Sequence, residues 1–273
     1  LGEELGDTTT LRNPECLDEI RAAVANWQAG QDRAERQTIT ETTRTLRIEY
    51  APVGTKNGEA IRVATVTITN PPVNALSERL LDELETVLTH IARRSDIGAV
   101  VLAGAGNKAF VAGADVRQLL EDVHDAAAAR SLPSKVHAVA NMIENMNKPV
   151  IAAVEGVTLG GGCEMALACH LRVANSRTIF GQPEINLYLP PGYGGTQRLP
   201  RVLIEATRTD AAGDDAITGL NRAMAMLLSG RQIKGQQANE FGLVDKYCTG
   251  TDSVLPAAQA LAREAALKGA GDA

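Results

Sequence analysis

The chain has 273 residues, 44% of them hydrophobic and 22% charged, with a net charge of −6. That length supports a substantial core, and the composition is that of a globular protein rather than a disordered or fibrous one. The acidic balance argues against a nucleic-acid partner, and no apolar run approaches the roughly 18 residues that a membrane helix needs, so no membrane association is expected.

In chain order, residues 1–45 read as a polar leader and linker. Within it, residues 13–31 place Leu17, Ile20, Val24 and Trp27 on one helical face. Strands are expected at 46–50 and 60–69, with a turn over 54–58. In the second strand the apolar positions change phase between Ile61/Val63 and Val66/Ile68, which predicts a bulge near Ala64. Ser77 opens an amphipathic helix carrying Leu80, Leu81, Leu84, Val87, Leu88 and Ile91, with Glu78 in its first turn and Arg93 and Arg94 at its end. A buried-type strand follows at 99–102. Asp115 with Gln118 three residues on predicts a capped helix over 116–123. A helix at 134–146, a strand at 150–154, a glycine turn, a helix at 163–170 and a strand at 171–174 complete a strand–helix alternation that implies an α/β domain with parallel connections. Residues 205–219 lose apolar periodicity and read as a surface insertion in a core spanning 46–222. Helical patterns resume at 220–228 and 255–267, within a short C-terminal helical region over 223–273.

Two carboxylates stand beside backbone turns. Glu164 ends Leu159-Gly-Gly-Gly-Cys-Glu164, and Glu184 ends Phe180-Gly-Gln-Pro-Glu184. Glycines ahead of a helix leave N–H groups free at its positive end, which can hold a developing oxyanion. The same turn serves equally well as a tight strand-to-helix connection, and either glutamate alone can be a helix-start residue. A fold that brings both to one pocket has an acid and a base for moving protons on carbon. The loop 190–196 can present its backbone to a ligand. The four histidines show no metal-ligand spacing, and the four cysteines (Cys16, Cys163, Cys169, Cys248) show no CxxC and read as reduced thiols of an intracellular protein. Cys163 beside the glycine turn reads as a small buried hydrophobe rather than a nucleophile.

Several ordered motifs resemble the enoyl-CoA hydratase/isomerase (crotonase) family over residues 60–247. They are Lys108-Ala-Phe-Val-Ala-Gly-Ala-Asp115, Pro149-Val-Ile-Ala-Ala-Val-Glu-Gly156, the glycine turn through Glu164, Phe180 to Glu184 and Gly194-Gly-Thr-Gln-Arg-Leu199. Asn70-Pro-Pro-Val-Asn-Ala-Leu76, Leu228-Ser-Gly-Arg-Gln-Ile233 and Gly242-Leu-Val244 add to them. The resemblance implies a crotonase-like spiral of repeated strand-strand-helix turns with a helical C-terminal region. It implies a hydratase acting on 2-enoyl-CoA, with Glu164 and Glu184 as the acid/base pair and the N–H groups of Ala114 and Gly161 as the oxyanion hole. Ala112 and Arg117 would approach the CoA moiety, and Gly192 would lie near the reacting water. Coenzyme A would enter only as part of the substrate, with no metal or other cofactor. A homotrimer or homohexamer is implied, in the cytoplasm or, in a eukaryote, the mitochondrial matrix.

The alternatives on the same scaffold are double-bond isomerisation, or hydration and ring opening of a cyclic enoyl-CoA, for which the run Asn186-Leu-Tyr-Leu-Pro-Pro191 could reshape the pocket. Outside catalysis, the alternative is a CoA-ligand- or RNA-binding relative. The paired glutamates weigh against the first, and the absence of a basic stripe on the 134–146 helix against the second.

Overall fold

The computed structural model describes residues 37–56, 58–114, 128–209, 216–249 and 254–268. Ile39–Ala273 form one unit; the other, Leu1–Thr38, lies almost wholly outside the described residues, and with it the helix expected over 13–31. The capped helix expected over 116–123 also lies outside them.

The strands are β1 (Ile39–Thr42), β2 (Leu46–Lys56), β3 (Glu59–Ile68), β4 (Ile97–Gly104), β5 (Ala109–Val111) and β6 (Val150–Val154). They continue with β7 (Val157–Leu159), β8 (Leu171–Asn175), β9 (Ile179–Gly181), β10 (Gln232–Lys234) and β11 (Lys246–Cys248). The helices are α1 (Glu78–Arg93), α2 (Ala128–Glu144), α3 (Gly161–Ala168), a 3₁₀ turn (Pro183–Leu187), α4 (Gly195–Thr209), α5 (Ala216–Ser229), α6 (Gly235–Glu240) and α7 (Val254–Lys268).

A larger sheet runs β1-β2-β3-β4-β6-β8-β11 and a smaller one β10-β9-β7-β5. β1, β2 and β3 pair antiparallel, whereas β3-β4-β6-β8-β11 are parallel throughout. The chain passes repeatedly from one sheet to the other. β4, β6 and β8 join the larger sheet; β5, β7 and β9 follow them into the smaller; helical segments then return the chain. Each circuit advances one strand, because parallel neighbours need a crossover connection. The result is the spiral of strand-strand-helix turns expected from sequence.

β3 is buried on both faces, as parallel strands between helical layers are. Ala64, Val66 and Ile68 face the main core with Leu80, Leu84, Leu88 and Ile91 of α1, while Ile61 and Val63 face a second core. Thr65 continues that second face and accepts from Gln259 Nε2 at 3.2 Å. The apolar phase change is regular alternation seen by two cores. A register shift does lie near Ala64, between Arg62 and Val63 in the pairing with β4, and a second lies between Pro52 and Gly54 of β2.

Helix α7 covers the second core. Val254, Ala258, Ala262 and Ala266 recur every fourth residue and pack on Ala99, Val101, Ile151, Ala153 and Val173. Small side chains set this distance: a Cβ added at Gly98 would stand 2.7 Å from the Ala266 Cβ.

Three expected boundaries differ. The leader expected over 1–45 already contains β1, paired to β2. The stretch 205–219 is helical at both ends, closing α4 and opening α5, with 210–215 outside the described residues. The C-terminal region beyond 223 also contributes a strand to each sheet, β10 against β9 and β11 against β8, so it is part of the same unit. No helix among the described residues is long and apolar enough to cross a membrane.

Candidate active site

Four backbone segments converge beyond the ends of the small sheet's strands. The first runs from β5 through Ala112, Gly113 and Ala114, and the loop 70–76 pins it. Ala112 N–H donates to the Val73 carbonyl at 3.1 Å, and Leu76 N–H to the Gly113 carbonyl at 2.8 Å. Asn74 holds that loop from inside: it is buried with φ 56°, and its Nδ2 donates to the carbonyls of Ala105 (3.3 Å) and Ala109 (2.9 Å). Leu76 forms a parallel bridge with Ala114 whose hydrogen bond uses the Gly113 carbonyl, so the Ala114 N–H is not spent on it.

The second segment is the turn from β7 into α3. Gly160 caps α3 with φ 53° and ψ −123°, a conformation that favours glycine. Gly162 needs to be glycine for a different reason: a Cβ there would stand 1.8 Å from the Val111 carbonyl oxygen. The first N–H groups of a helix have no acceptor within it, and that of Gly161 starts α3 at its positive end. Glu164 follows in the first turn and is 1% exposed.

The third segment, beyond β9, is the 3₁₀ turn carrying Glu184. A Cβ added at Gly160 would stand 2.9 Å from Glu184 Oε1, which places this carboxylate over the glycine turn. Gln182 is fully buried beside it, and with its amide nitrogen turned toward Glu184 donates to both carboxylate oxygens at 3.2 Å.

The fourth segment is the loop into α4. Tyr193 N–H (2.8 Å) and Gly195 N–H (2.7 Å) both donate to Glu164 Oε1. The other oxygen, Oε2, is buried with no partner. One side of the carboxylate is thus anchored, and the other is available for chemistry.

These segments enclose a cavity of about 420 Å³. Ala112, Ala114, Gly161, Glu164, Glu184 and Gly192 all line it, so six of the residues expected from sequence come together. Arg117 lies outside the described residues. The remaining wall is apolar and includes Leu159, Leu187, Leu189 and Pro190.

Burial pushes the Glu164 carboxyl up to about 7; the two N–H donors oppose that rise, the Glu184 charge adds to it and Arg198 opposes it. Burial also raises Glu184. Glu164 can therefore exchange protons near neutral pH, and burial moves Glu184 in the same direction, as general acid–base work requires. The Cys163 thiol is fully buried and pushed far up by burial, consistent with a packing role. Sequence reasoning missed Tyr193, Gln182 and Arg198. The glycine pair Gly194-Gly195 signalled that this backbone approaches something closely, but not that it approaches Glu164.

A carboxylate pair facing one cavity, Glu164 buried and Glu184 part-buried, set against a glycine-capped helix N-terminus on a two-sheet spiral, defines a proton-transfer site of the crotonase type. The chain belongs to the enoyl-CoA hydratase/isomerase family, which it matches over residues 58–270. It is 40% identical over 186 residues to the short-chain-enoyl-CoA hydratase of Clostridium acetobutylicum, covering 68% of this chain and 65% of that protein. It is 39% identical over 184 residues to the peroxisomal fatty acid beta-oxidation multifunctional protein AIM1 of Arabidopsis thaliana, covering 67% of this chain and 23% of that one. The chain thus spans less than two thirds of the length of either relative. The crystal structure of an enoyl-CoA hydratase from Bacillus anthracis superposes with a TM-score of 0.70 at 33% identity, covering 82% of this chain and 77% of that chain.

Proposed function

We propose that this chain hydrates the 2,3 double bond of a 2-enoyl-CoA thioester to a 3-hydroxyacyl-CoA, and catalyses the reverse dehydration. The observation that carries the reading is the pair Glu164 and Glu184, both raised by burial and both lining one cavity beside the N-terminus of α3.

In this reading the thioester carbonyl accepts from the N–H groups of Ala114 and Gly161. Those donors stabilise the enolate as the π electrons of the double bond move toward oxygen, an effect commonly worth about 3–4 kcal/mol per donor. The water oxygen bonds to the β-carbon and loses one proton to a carboxylate, while the α-carbon gains one from a carboxylic acid. Atoms balance, and the enzyme ends with the protons it began with. Glu164 is assigned as the base, because two N–H donors on Oε1 favour its charged form and leave Oε2 to accept from water. Glu184, whose carboxylate stands over the glycine turn and lines the same cavity, is assigned as the acid.

Gly192 is assigned to the side of the cavity that takes the water and Ala112 to the side that takes the CoA moiety, a role the resemblance also gives Arg117, outside the described residues. Coenzyme A is then part of the substrate, and the chemistry calls for no metal or redox group. The working form is assigned as a homotrimer or homohexamer in the cytoplasm, or in the mitochondrial matrix of a eukaryote. The test is product analysis with crotonyl-CoA and with alicyclic enoyl-CoAs. A 3-hydroxyacyl-CoA from the linear substrate supports the reading; an isomerised or ring-opened product, with the linear substrate untouched, replaces it.

A further inference from the structure

We infer that Arg198 is a positioning residue that clamps the loop 193–195 so that Glu164 offers Oε2 to the cavity. The inference rests on the reading of Glu164 as a reacting carboxylate.

Arg198 sits in the first turn of α4, and its side chain is 5% exposed. Its guanidinium spends donors on three partners. Nε donates to Glu144 Oε2 (3.0 Å), Nη2 to Asn141 Oδ1 (2.7 Å) and Nη1 to the Tyr193 carbonyl (3.2 Å). Tyr193 is therefore gripped on both sides: its N–H by Glu164, its carbonyl by Arg198. Gly194, with φ 105°, lets the guanidinium pass; a Cβ there would stand 2.2 Å from Nη1. The Arg198 N–H itself donates to the Gly194 carbonyl at 2.8 Å. The two peptide donors on Glu164 Oε1 belong to residues 193 and 195, so the clamp spans both. Glu144 and Asn141 fix the far end of the guanidinium to α2, and Arg201 shares Glu144 at 3.0 Å.

Charge acts along the same line. Glu164 is faced by Glu184 from the 3₁₀ turn, Tyr193 from the loop, Cys163 from its own helix and Arg198 from α4. His137 of α2 lies against Gly194. Among these neighbours Arg198 is the one cation that favours ionised Glu164. Its planar fork holds three partners at fixed angles, a geometry lysine cannot reproduce although it keeps the charge.

The experiment uses the full chain with Arg198→Lys and Arg198→Met. It measures kcat and KM across pH, and separately titrates the Glu164 carboxyl by the infrared carbonyl band that Glu164→Gln removes. The lysine variant is expected to lose about tenfold in kcat with KM changed less than about threefold and the acid limb in place. The methionine variant is expected to lose about 100-fold and to move both the acid limb and the infrared titration upward by about one pH unit. Folding is checked by thermal melting, and if the methionine variant fails to fold, the lysine variant decides. Wild-type kcat and titration in a folded variant overturn the inference. Absence of turnover in the wild type would defeat the hydratase reading alone, and the infrared titration would still decide the clamp.

Discussion

Replacing Glu164 with glutamine separates the cost of keeping a buried carboxylate from its use. The folded-state value rises from 4.5 to about 7, with burial as the first cause. A carboxyl raised on folding binds more protons in the folded state between those values, so it contributes stability that is lost as pH climbs from about 4.5 through about 7. That rise corresponds to about 3 kcal/mol. Glutamine keeps an oxygen for the Tyr193 and Gly195 N–H donors and carries no charge, so it mimics the protonated acid. Urea unfolding of wild type and Glu164→Gln at pH 5 is therefore expected to give equal stabilities within about 1 kcal/mol. At pH 8.5 the variant is expected to be the more stable, by up to about 3 kcal/mol, while its turnover is lost. Equal stabilities at both pH values would refute the reasoning, because they would mean that the ionised group is not held at a desolvation cost.

Other perturbations read different parts of the site. Glu184→Gln is expected to lower kcat by about 10²–10⁴ with the melting temperature little changed, since this side chain is only part-buried in a 3₁₀ turn. Gly162→Ala pushes a methyl against the Val111 carbonyl and is expected to cost about 1–3 kcal/mol or to abolish folding, read by chemical denaturation. Asn74→Ala leaves the Ala105 and Ala109 carbonyls without their donor and is expected to cost about 1–3 kcal/mol and raise KM, because the loop it holds pins residues 112–114. Ser77→Ala removes the cap of α1 at the Leu80 N–H and is expected to cost about 1 kcal/mol in melting experiments with kcat unchanged.

Local signals carried much of this fold. The α1 stripe was legible because one face is apolar and the other polar, and Ser77 does cap it. Strand β3 was legible as a strand but not in its packing, because a two-sided strand has no polar face to announce itself. The stretch 205–219 misled for a related reason: Ile217 opens α5 exposed, so no apolar periodicity marks the start of that helix, although 220–228 was read as helical. Glu164 and Glu184 could be singled out from glycine and proline beside them. Their union in one cavity depends on successive spiral turns stacking β7 against β9, a pairing between distant strands that no local pattern encodes. Arg198 was hidden for the same reason, since its partners Asn141 and Glu144 come from a helix more than fifty residues earlier.

The most direct test of the central claim follows the conjugated enoyl-thioester absorbance when purified chain meets crotonyl-CoA, beside Glu164→Gln and Glu184→Gln. The wild type is expected to remove the absorbance and yield the 3-hydroxy thioester, and either substitution to stop it. Undiminished turnover in either folded variant, or a wild type that binds the thioester without consuming it, would contradict the account.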